Sequence, residues 1–451
     1  LGQANESFGH SVAIGDFNND GYADVLTGAP YATVNSVSNA GAAYIYYGPF
    51  STSDTTPDVY IEGSSGTNLG WAVVAGLFNN DGYWDAAVSQ KDDDVYVYYG
   101  SSSWSGQETT PDVTFVESSI TDDPGEEGFG MSLAAGNFNY DGTPLNFDDL
   151  LIGAPFKNIG TGQQNPDGAV YCFVSVFAST ETGEDSMLRP DNDKDKAQFG
   201  FSIALGKIDS DDKLDVVVGE PWNDTGDGSV QIFYGAEINT ASETPNEWLE
   251  PITTDERFGF SVGVGDMDTN GYADIVVGAP YSDVGGTDIG RAYIYQSETD
   301  GSGMLAQSSP VVNLAGIEAG SLFGFNVTVG DFYGDGQGDA IVTAPYNTTN
   351  DYGSIFIYDD PIGGNNVTDD YIDGAQTDEH LGWSVAGGKF ASDTVYVLAA
   401  GAPDWDDASP SETDAGRIMV ALIPEFDNIA ISVFIPLLIW TTAWHRRKRK
   451  S

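Results

Sequence analysis

Residues 258–280 read FGFSVGVGDMDTNGYADIVVGAP, and weaker or stronger copies begin at Phe8, Leu69, Phe129, Phe199, Phe323 and Leu381, each an aromatic residue or leucine followed by glycine. Inside this stretch Asp266, Asp268, Asn270 and Asp274 fall at positions 1, 3, 5 and 9 of a short loop, with Gly271 at position 6. The apolar runs on either side are short and β-branched, which suits strands. Side chains at that spacing, with the backbone carbonyl of Tyr272, converge on one point. A hard cation such as Ca2+ takes six to eight oxygens at about 2.3–2.6 Å, and the glycine permits the sharp turn that brings them together. Asp, Asn and Gly also gather in ordinary hairpin turns. A second complete copy, Asp16, Asn18, Asp20, Gly21, Tyr22 and Asp24, favours calcium. The loop is not an EF-hand, because the helices and position-12 glutamate of that motif are missing.

The other loops depart from the pattern in different ways. Asp331, Asp335, Gln337 and Asp339 keep three carboxylates but carry Tyr333 at position 3, a weaker site. Asn137, Asn139 and Asp141 begin in pattern, but an insertion around Pro144 precedes Asp149. Leu77 removes the first ligand ahead of Asn79, Asp81 and Asp85, and the last unit, with Lys389, Ala391 and Val397, has lost the site. In the fourth unit Lys207 stands at position 1 before Asp209, Asp211 and Asp215, and its ammonium is expected to sit among those carboxylates in place of an ion. The expectation is two to four Ca2+ ions.

Each unit reads as four short strands punctuated by turns: one after FG, one ending in GAP, then segments such as AAYIYY at 42–47 and DVYIEG at 58–63. The strand after each loop is nearly continuous in apolar residues, as at 275–277 and 216–218, which fits a sheet covered on both faces. Units of this kind stack on their neighbours, and closing the ring removes the exposed ends. The fold class is therefore all-β, a seven-bladed β-propeller of four-stranded blades over residues 1–423.

A chain of 451 residues with 40% hydrophobic residues can build a packed core, so its net charge of −53 marks a folded acidic protein. Sixteen basic residues against 69 acidic ones exclude nucleic acid as a partner. The single cysteine, Cys172, rules out an intrachain disulfide and lies in an alternating strand pattern that suits a buried position. His10, His380 and His445 are too scattered in sequence to suggest a zinc or proton-transfer centre.

The FG opening, the D-x-D-x-D-G-x-x-D loop and the GAP ending at 28–30, 153–155, 278–280 and 401–403 resemble the FG-GAP repeats of integrin α-subunit propellers. The resemblance implies cations in hairpin loops on one face and ligand-contacting loops on the other. The latter follow each GAP, where Tyr31, Phe156, Trp222, Tyr281, Tyr346 and Trp405 stand near the loop start, either as a stacking surface or packed under their own loops. The implied function is a calcium-binding, non-catalytic adhesion or ligand-binding module of the cell surface, with an extracellular protein or glycan as partner. Two alternatives stay open. One is an architectural component of the cell envelope; the other is a calcium-dependent polysaccharide-acting enzyme or its accessory propeller, which needs clustered Lys, Arg, His or Tyr.

Beyond the last unit, residues 424–428 contain PEF, 429–444 form an uncharged run, and 445–451 read HRRKRKS. This arrangement resembles the PEF-type sorting signals of archaeal surface proteins. Sixteen residues of helix reach about 24 Å against a hydrocarbon core of about 30 Å, so a transmembrane-type segment would draw in flanking residues. The basic tail would stay cytoplasmic and the propeller outside. Asn5, Asn223, Asn347 and Asn366 lie in N-x-S/T sequons available for glycosylation on export, whereas Asn326 is expected to be enclosed. The third strand of the last unit, 417–423, runs straight into PEF, so the seventh blade is expected to have three strands and an exposed edge.

Overall fold

A computed structural model describes residues 6–51, 56–64, 66–79, 81–120, 127–138, 147–158, 167–174, 177–190, 197–222, 226–235, 238, 244–298, 309–347, 351–362, 368–391, 395–404, 415–424 and 431–433. The fifth repeat shows how sequence becomes blade. Ser261–Gly265 pairs antiparallel with Asp274–Ala279, in a register that sets Gly265 opposite Asp274 and Ser261 opposite Gly278. Arg291–Tyr295 and Val312–Ala315 extend the same meander outward. The cation-loop motif therefore sits at one end of the first hairpin and the GAP motif at the other.

Seven such sheets surround one axis. The first strands, Ser11–Gly15, Val73–Gly76, Ser132–Gly136, Ser202–Gly206, Ser261–Gly265, Val327–Gly330 and Ser384–Gly388, each touch the next, and the last touches the first. A parallel bridge between Phe8 and Gly416 closes the ring, matching the Phe258–Gly228 and Phe323–Gly290 bridges elsewhere. Second strands such as Asp274–Ala279 are buried throughout, because a neighbouring blade covers each face. The core is accordingly divided among the seams: Ile275, Val277 and Tyr293 pack on Val217, Val230 and Ile232 of the preceding blade. Each such side chain contributes about 1.5–3 kcal/mol of burial.

The repeated dipeptides make these seams. In FG-x-S the serine hydroxyl donates to the carbonyl of the next blade's FG glycine: Ser11 to Gly70 at 3.2 Å, Ser132 to Gly200 at 2.7 Å, Ser202 to Gly259 at 3.0 Å, Ser261 to Gly324 at 3.0 Å and Ser384 to Gly9 at 2.8 Å. The GAP glycine is needed because the same carbonyl passes directly over it; a Cβ on Gly278 would lie 2.0 Å from Gly324 O, and one on Gly401 would lie 1.8 Å from Gly9 O. Two blades depart together at both positions. Blade two has Ala72 for the serine and Ser89 for the glycine, and the Ser89 hydroxyl accepts from Ala72 N at 2.9 Å. Blade six pairs Asn326 with Thr343, whose hydroxyl accepts from Asn326 N at 3.0 Å. A hydroxyl lost from the first strand reappears on the second.

Two short guest strands leave their own blades. Gly106–Glu108 pairs parallel with the outer strand of blade one, Val59–Glu62, and Thr180–Glu181 with that of blade two, Val113–Phe115. The expectation of a three-stranded seventh blade is overturned: Ile431–Val433 pairs antiparallel with Arg417–Pro424 as a fourth strand. The physical reason is that the open edge of Arg417–Pro424 presents unpaired backbone groups, and the β-branched Ile431 and Val433 suit a strand. The same observation corrects the reading of 429–444 as one transmembrane-type helix. Among the described residues no helix is long and apolar enough to cross a membrane. Residues 425–430 and 434–451, with the rest of the sorting-signal reading, lie outside the described residues.

Candidate functional site

The loops that join the first and second strands of a blade are wound by their own side chains. In blade five, Asp266 accepts from Asn270 N at 3.2 Å and Gly271 N at 2.9 Å, Asp268 accepts from Asn270 N at 2.9 Å, and Asn270 Oδ1 accepts from Tyr272 N at 2.7 Å. Gly271 takes φ 91°, a conformation that favours glycine. Asp266, Asp268 and Asp274 thereby bring carboxylate oxygens within 4.8 Å of one another. An all-oxygen donor set of this kind fits a hard divalent cation.

Blade one repeats the winding: Asp16 accepts from Asp20 N at 3.0 Å and Gly21 N at 2.9 Å, Asn18 from Asp20 N at 2.9 Å, and Asp20 from Tyr22 N at 2.9 Å. In blade six Asp331 accepts from Asp335 N at 3.0 Å and Gly336 N at 2.9 Å, while the Gln337 amide donates to Met267 O of blade five at 2.8 Å. Tyr333 turns aside to donate to Asp370 at 2.9 Å. In blade three Asn137 and Asp149 flank the loop, and Asn139 and Asp141 lie outside the described residues.

Position 9 has a role the spacing did not reveal. Asp274 Oδ2 accepts from Met267 N at 2.8 Å and Oδ1 from Ser297 N at 2.9 Å, so it staples the loop to the end of the third strand. Asp24 does the same with Phe17 N and Gly48 N, both at 2.8 Å, and Asp85 with Phe78 N and Gly100 N. Asp339 accepts from Phe332 N at 2.7 Å. Burial pushes Asp274 up to about 7 and Asp24 and Asp339 up to about 8. A nearby cation would hold these carboxyls ionised.

The expectation for Lys207 is overturned. Its ammonium stands 3.3 Å from Asp212 at the exposed loop tip, and Asp209, Asp211 and Asp215 gather within 4.8 Å of one another without it. Pairing outward keeps the ammonium hydrated, whereas inserting it among half-buried carboxylates would cost several kcal/mol of desolvation. Neighbouring loops are also stitched together: Gly338 N donates to Asp266 O at 2.7 Å, Ala273 N to Lys207 O at 2.7 Å and Trp84 N to Asp16 O at 3.1 Å.

At the opposite end of the strands a mouth of about 530 Å³ opens on the axis. It is rimmed by the residue after each FG or LG: His10, Trp71, Met131, Phe201, Phe260, Phe325 and Trp383. Ring centroids follow one another at 4.6 Å for His10 to Trp71, 4.9 Å for Phe201 to Phe260, 5.0 Å for Phe260 to Phe325 and 4.8 Å for Phe325 to Trp383. Burial pushes His10 down to about 4, so it serves here as a neutral aromatic. This rim went unread in the sequence although its signal, one bulky residue between each FG and the following Ser, Ala or Asn, was present.

The aromatics after GAP form an outer tier. Tyr281 and Tyr346 line the mouth, Trp222 lies 5.2 Å from Phe201, and Tyr31 lies 6.5 Å from Trp71. Phe156 is half-buried and its N–H donates to Glu127 O at 2.8 Å; Trp405 lies outside the described residues. Two of the chain's own cations cover this surface, Lys91 at 4.4 Å from the Trp71 ring and Arg257 at 4.6 Å from Trp222.

Of the sequons, Asn5, Asn223 and Asn366 lie outside the described residues. Asn347 corrects its reading: it is 9% exposed and its amide donates to Ser354 Oγ at 2.9 Å, which leaves the nitrogen closed to modification.

Residues 8–46 and 258–295 match the FG-GAP repeat. The chain is 26% identical to integrin alpha-5 of Xenopus laevis over 261 residues, 56% of this chain and 24% of that protein. It is 36% identical to integrin alpha ina-1 of Caenorhabditis elegans over 172 residues, 34% of this chain and 14% of that protein. It is also 26% identical to phosphatidylinositol-glycan-specific phospholipase D of Rattus norvegicus over 333 residues, 65% of this chain and 38% of that protein. The chain thus spans well under half the length of these relatives. The repeats, the ring of seven sheets and these similarities together describe an integrin-like FG-GAP propeller.

Proposed function

We propose that this chain is a calcium-stabilised, non-catalytic binding or adhesion module of the cell surface that takes an extracellular partner on its axial face. The belt of aromatic rings around the mouth supports this reading. Mounted on the innermost strands, the rings are held in place before binding, which lowers the ordering cost of association. Aromatic faces attract cations, and Lys91 and Arg257 already lie over Trp71 and Trp222. With a net charge of −53, the best-matched partner presents a basic side chain to the mouth.

Calcium occupies the blade-five loop first on this reading, with Asp266, Asp268 and Asn270 as side-chain ligands. A non-catalytic role fits the reactive side chains: Cys172 is buried, His10 is packed in the rim, and His380 Nδ1 lies 2.8 Å from Asp404 Oδ2. Similarity to the phospholipase D favours one second reading, a propeller accessory to an enzyme. Anchoring through the tail beyond the fourth strand, residues 434–451, belongs to the same proposal, and intact mass of protein released from native membranes tests whether Arg446 to Lys450 are retained.

The test is a binding screen of the full chain against envelope proteins, basic peptides and glycans, with calcium and with EDTA. Phe260→Ala combined with Trp383→Ala should abolish capture of the partner without lowering the melting temperature to that of the EDTA form. Capture that survives both substitutions would exclude the axial face, and turnover of any phospholipid or polysaccharide would exclude a non-catalytic role.

A further inference from the structure

In three blades the residue before FG or LG lies against the segment that ends the preceding blade's second strand. In blade two it is Asn68, whose amide donates to Pro30 O at 3.0 Å. In blade seven it is His380, whose ring centroid stands 4.4 Å from that of Tyr346 and whose Nδ1 lies 2.8 Å from Asp404 Oδ2. In blade five it is Arg257, whose guanidinium lies 4.6 Å from the Trp222 ring and 5.6 Å from the Tyr281 ring. The last two sites correspond residue by residue. Trp222 follows GEP at 219–221 as Tyr346 follows TAP at 343–345, and Tyr281 follows GAP at 278–280 as Asp404 follows GAP at 401–403.

Both sites stack a nitrogen-bearing group on the preceding blade's aromatic ring, and they differ in what meets the nitrogens. Blade seven supplies a carboxylate from Asp404. Blade five puts Tyr281 in that place, and no described residue accepts a hydrogen bond from the Arg257 guanidinium or pairs with its charge. Asp227 and Asp255 flank the 3.3 Å bond from Arg257 N to Gly226 O, yet Asp227 Oδ1 accepts from Asp255 N at 2.8 Å and neither carboxylate pairs with the guanidinium. Arg257 Nη1 is enclosed without a partner, while the other nitrogens of this half-buried side chain are not enclosed. In a chain with 69 acidic residues, the fold holds this arginine between two rings with its donors uncommitted.

These features select the ligand class. A guanidinium presents a planar fork of N–H donors that fits a carboxylate through two parallel bonds. Asp227, Asp255 and the net charge of −53 oppose a multiply charged oxyanion more strongly than a single carboxylate. Blade seven shows the same class of group at the equivalent ring nitrogen. We propose that Arg257, held between Trp222 and Tyr281, binds a carboxylate presented by a ligand, in the place that Asp404 fills beside His380. Neither Arg257 nor Trp222 lines the axial mouth, which Tyr281 borders, so the site adds an acidic contact beside the basic one proposed there and does not depend on it.

The experiment is calorimetry on the full chain in calcium, with arginine side-chain NMR to report the Arg257 N–H groups. The probes are a capped peptide whose one charged residue is glutamate, its glutamine counterpart, methyl glucuronoside, methyl glucoside, and inorganic phosphate and sulfate. None carries a basic group, so binding reports on this site and not on the mouth. At least one of the two carboxylates should bind saturably with a Kd of about 1 mM, and the tighter of them assigns the source as peptide or sugar acid. Its uncharged counterpart should bind at least tenfold more weakly. Arg257→Met should abolish binding and Arg257→Lys weaken it several-fold, whereas Lys207→Met, which removes the same charge at the opposite end of the strands, should leave it unchanged. Tyr281→Asp places a carboxylate where blade seven has Asp404, and it should block the probe in a folded protein, so it carries the test if Arg257→Met does not fold. The proposal is overturned if neither carboxylate binds saturably, if phosphate or sulfate binds more tightly, if the uncharged counterparts bind equally, if Arg257→Met or Tyr281→Asp binds as wild type does, or if Lys207→Met weakens binding as much as Arg257→Met.

Discussion

Replacing Gly278 by alanine tests the seam directly. The added Cβ would lie 2.0 Å from Gly324 O and 2.3 Å from Ser261 Oγ, against the 3.4 Å at which ordinary contact begins. Serine can rotate away, but only by breaking its 3.0 Å bond to Gly324 O. The carbonyl belongs to the backbone and must move by more than an ångström, pulling on the Gly324 N bond to Thr343 O at 2.9 Å. Overpacking of this sort costs about 1–3 kcal/mol, and the lost serine bond adds about 1 kcal/mol. A total of about 2–4 kcal/mol should lower the melting temperature by roughly 2–4 °C in a chain of 451 residues, whose unfolding entropy is about 1 kcal/mol/K. Gly183, whose Cβ would meet nothing within 4 Å, is the control, and Gly183→Ala should be neutral or slightly stabilising. Ser261→Ala should cost about 1 kcal/mol alone and add little to Gly278→Ala, because both remove the same bond. Scanning calorimetry in saturating calcium gives all four values. A Gly278→Ala protein melting within about 1 °C of wild type would refute this account of the GAP motif.

Other substitutions and conditions probe the cation face. Asp266→Ala should cost about 1 kcal/mol in EDTA, through the lost Asn270 and Gly271 N–H bonds, and about 2.7 kcal/mol more at a hundredfold excess of calcium over Kd; equal melting shifts in both conditions would exclude an ion there. Lys207→Asp should create one additional calcium site with Asp209 and Asp211, above the loop that Asp215 staples, read as a higher stoichiometry in calorimetry, and unchanged stoichiometry would show that this loop cannot take an ion. Burial holds Asp24 and Asp339 near 8 and Asp85, Asp215 and Asp274 near 7, above their ordinary value of 3.8. The ion-free native state therefore binds more protons than the unfolded chain between about pH 4 and 8, and its stability should fall as pH rises through that window. Calcium should flatten the slope, and denaturant midpoints at the two ends of the range, with and without EDTA, show whether the sign is right.

Local pattern settled much of this protein from its sequence. Strand, turn and repeat are written in residues a few positions apart, because β-branched runs, the D-x-D-x-D-G loop and its left-handed glycine impose their geometry over short range. Tertiary structure decided whatever depends on groups brought together from different blades. The axial rim draws one side chain from each repeat, and the closing bond from Ser384 to Gly9 spans 375 positions. The reason GAP needs its glycine lies in the next blade's carbonyl, which no local reading contains. Lys207 chose Asp212 over the Asp209, Asp211 and Asp215 trio on the cost of dehydrating an ammonium, a quantity set by three-dimensional exposure. Position 9 reads as a cation ligand by spacing, yet the fold spends both oxygens of Asp274 on backbone donors, one of them, Ser297, just past the third strand. Ile431–Val433 reads as part of an apolar run, and only the open backbone edge beside Arg417–Pro424 makes it a strand.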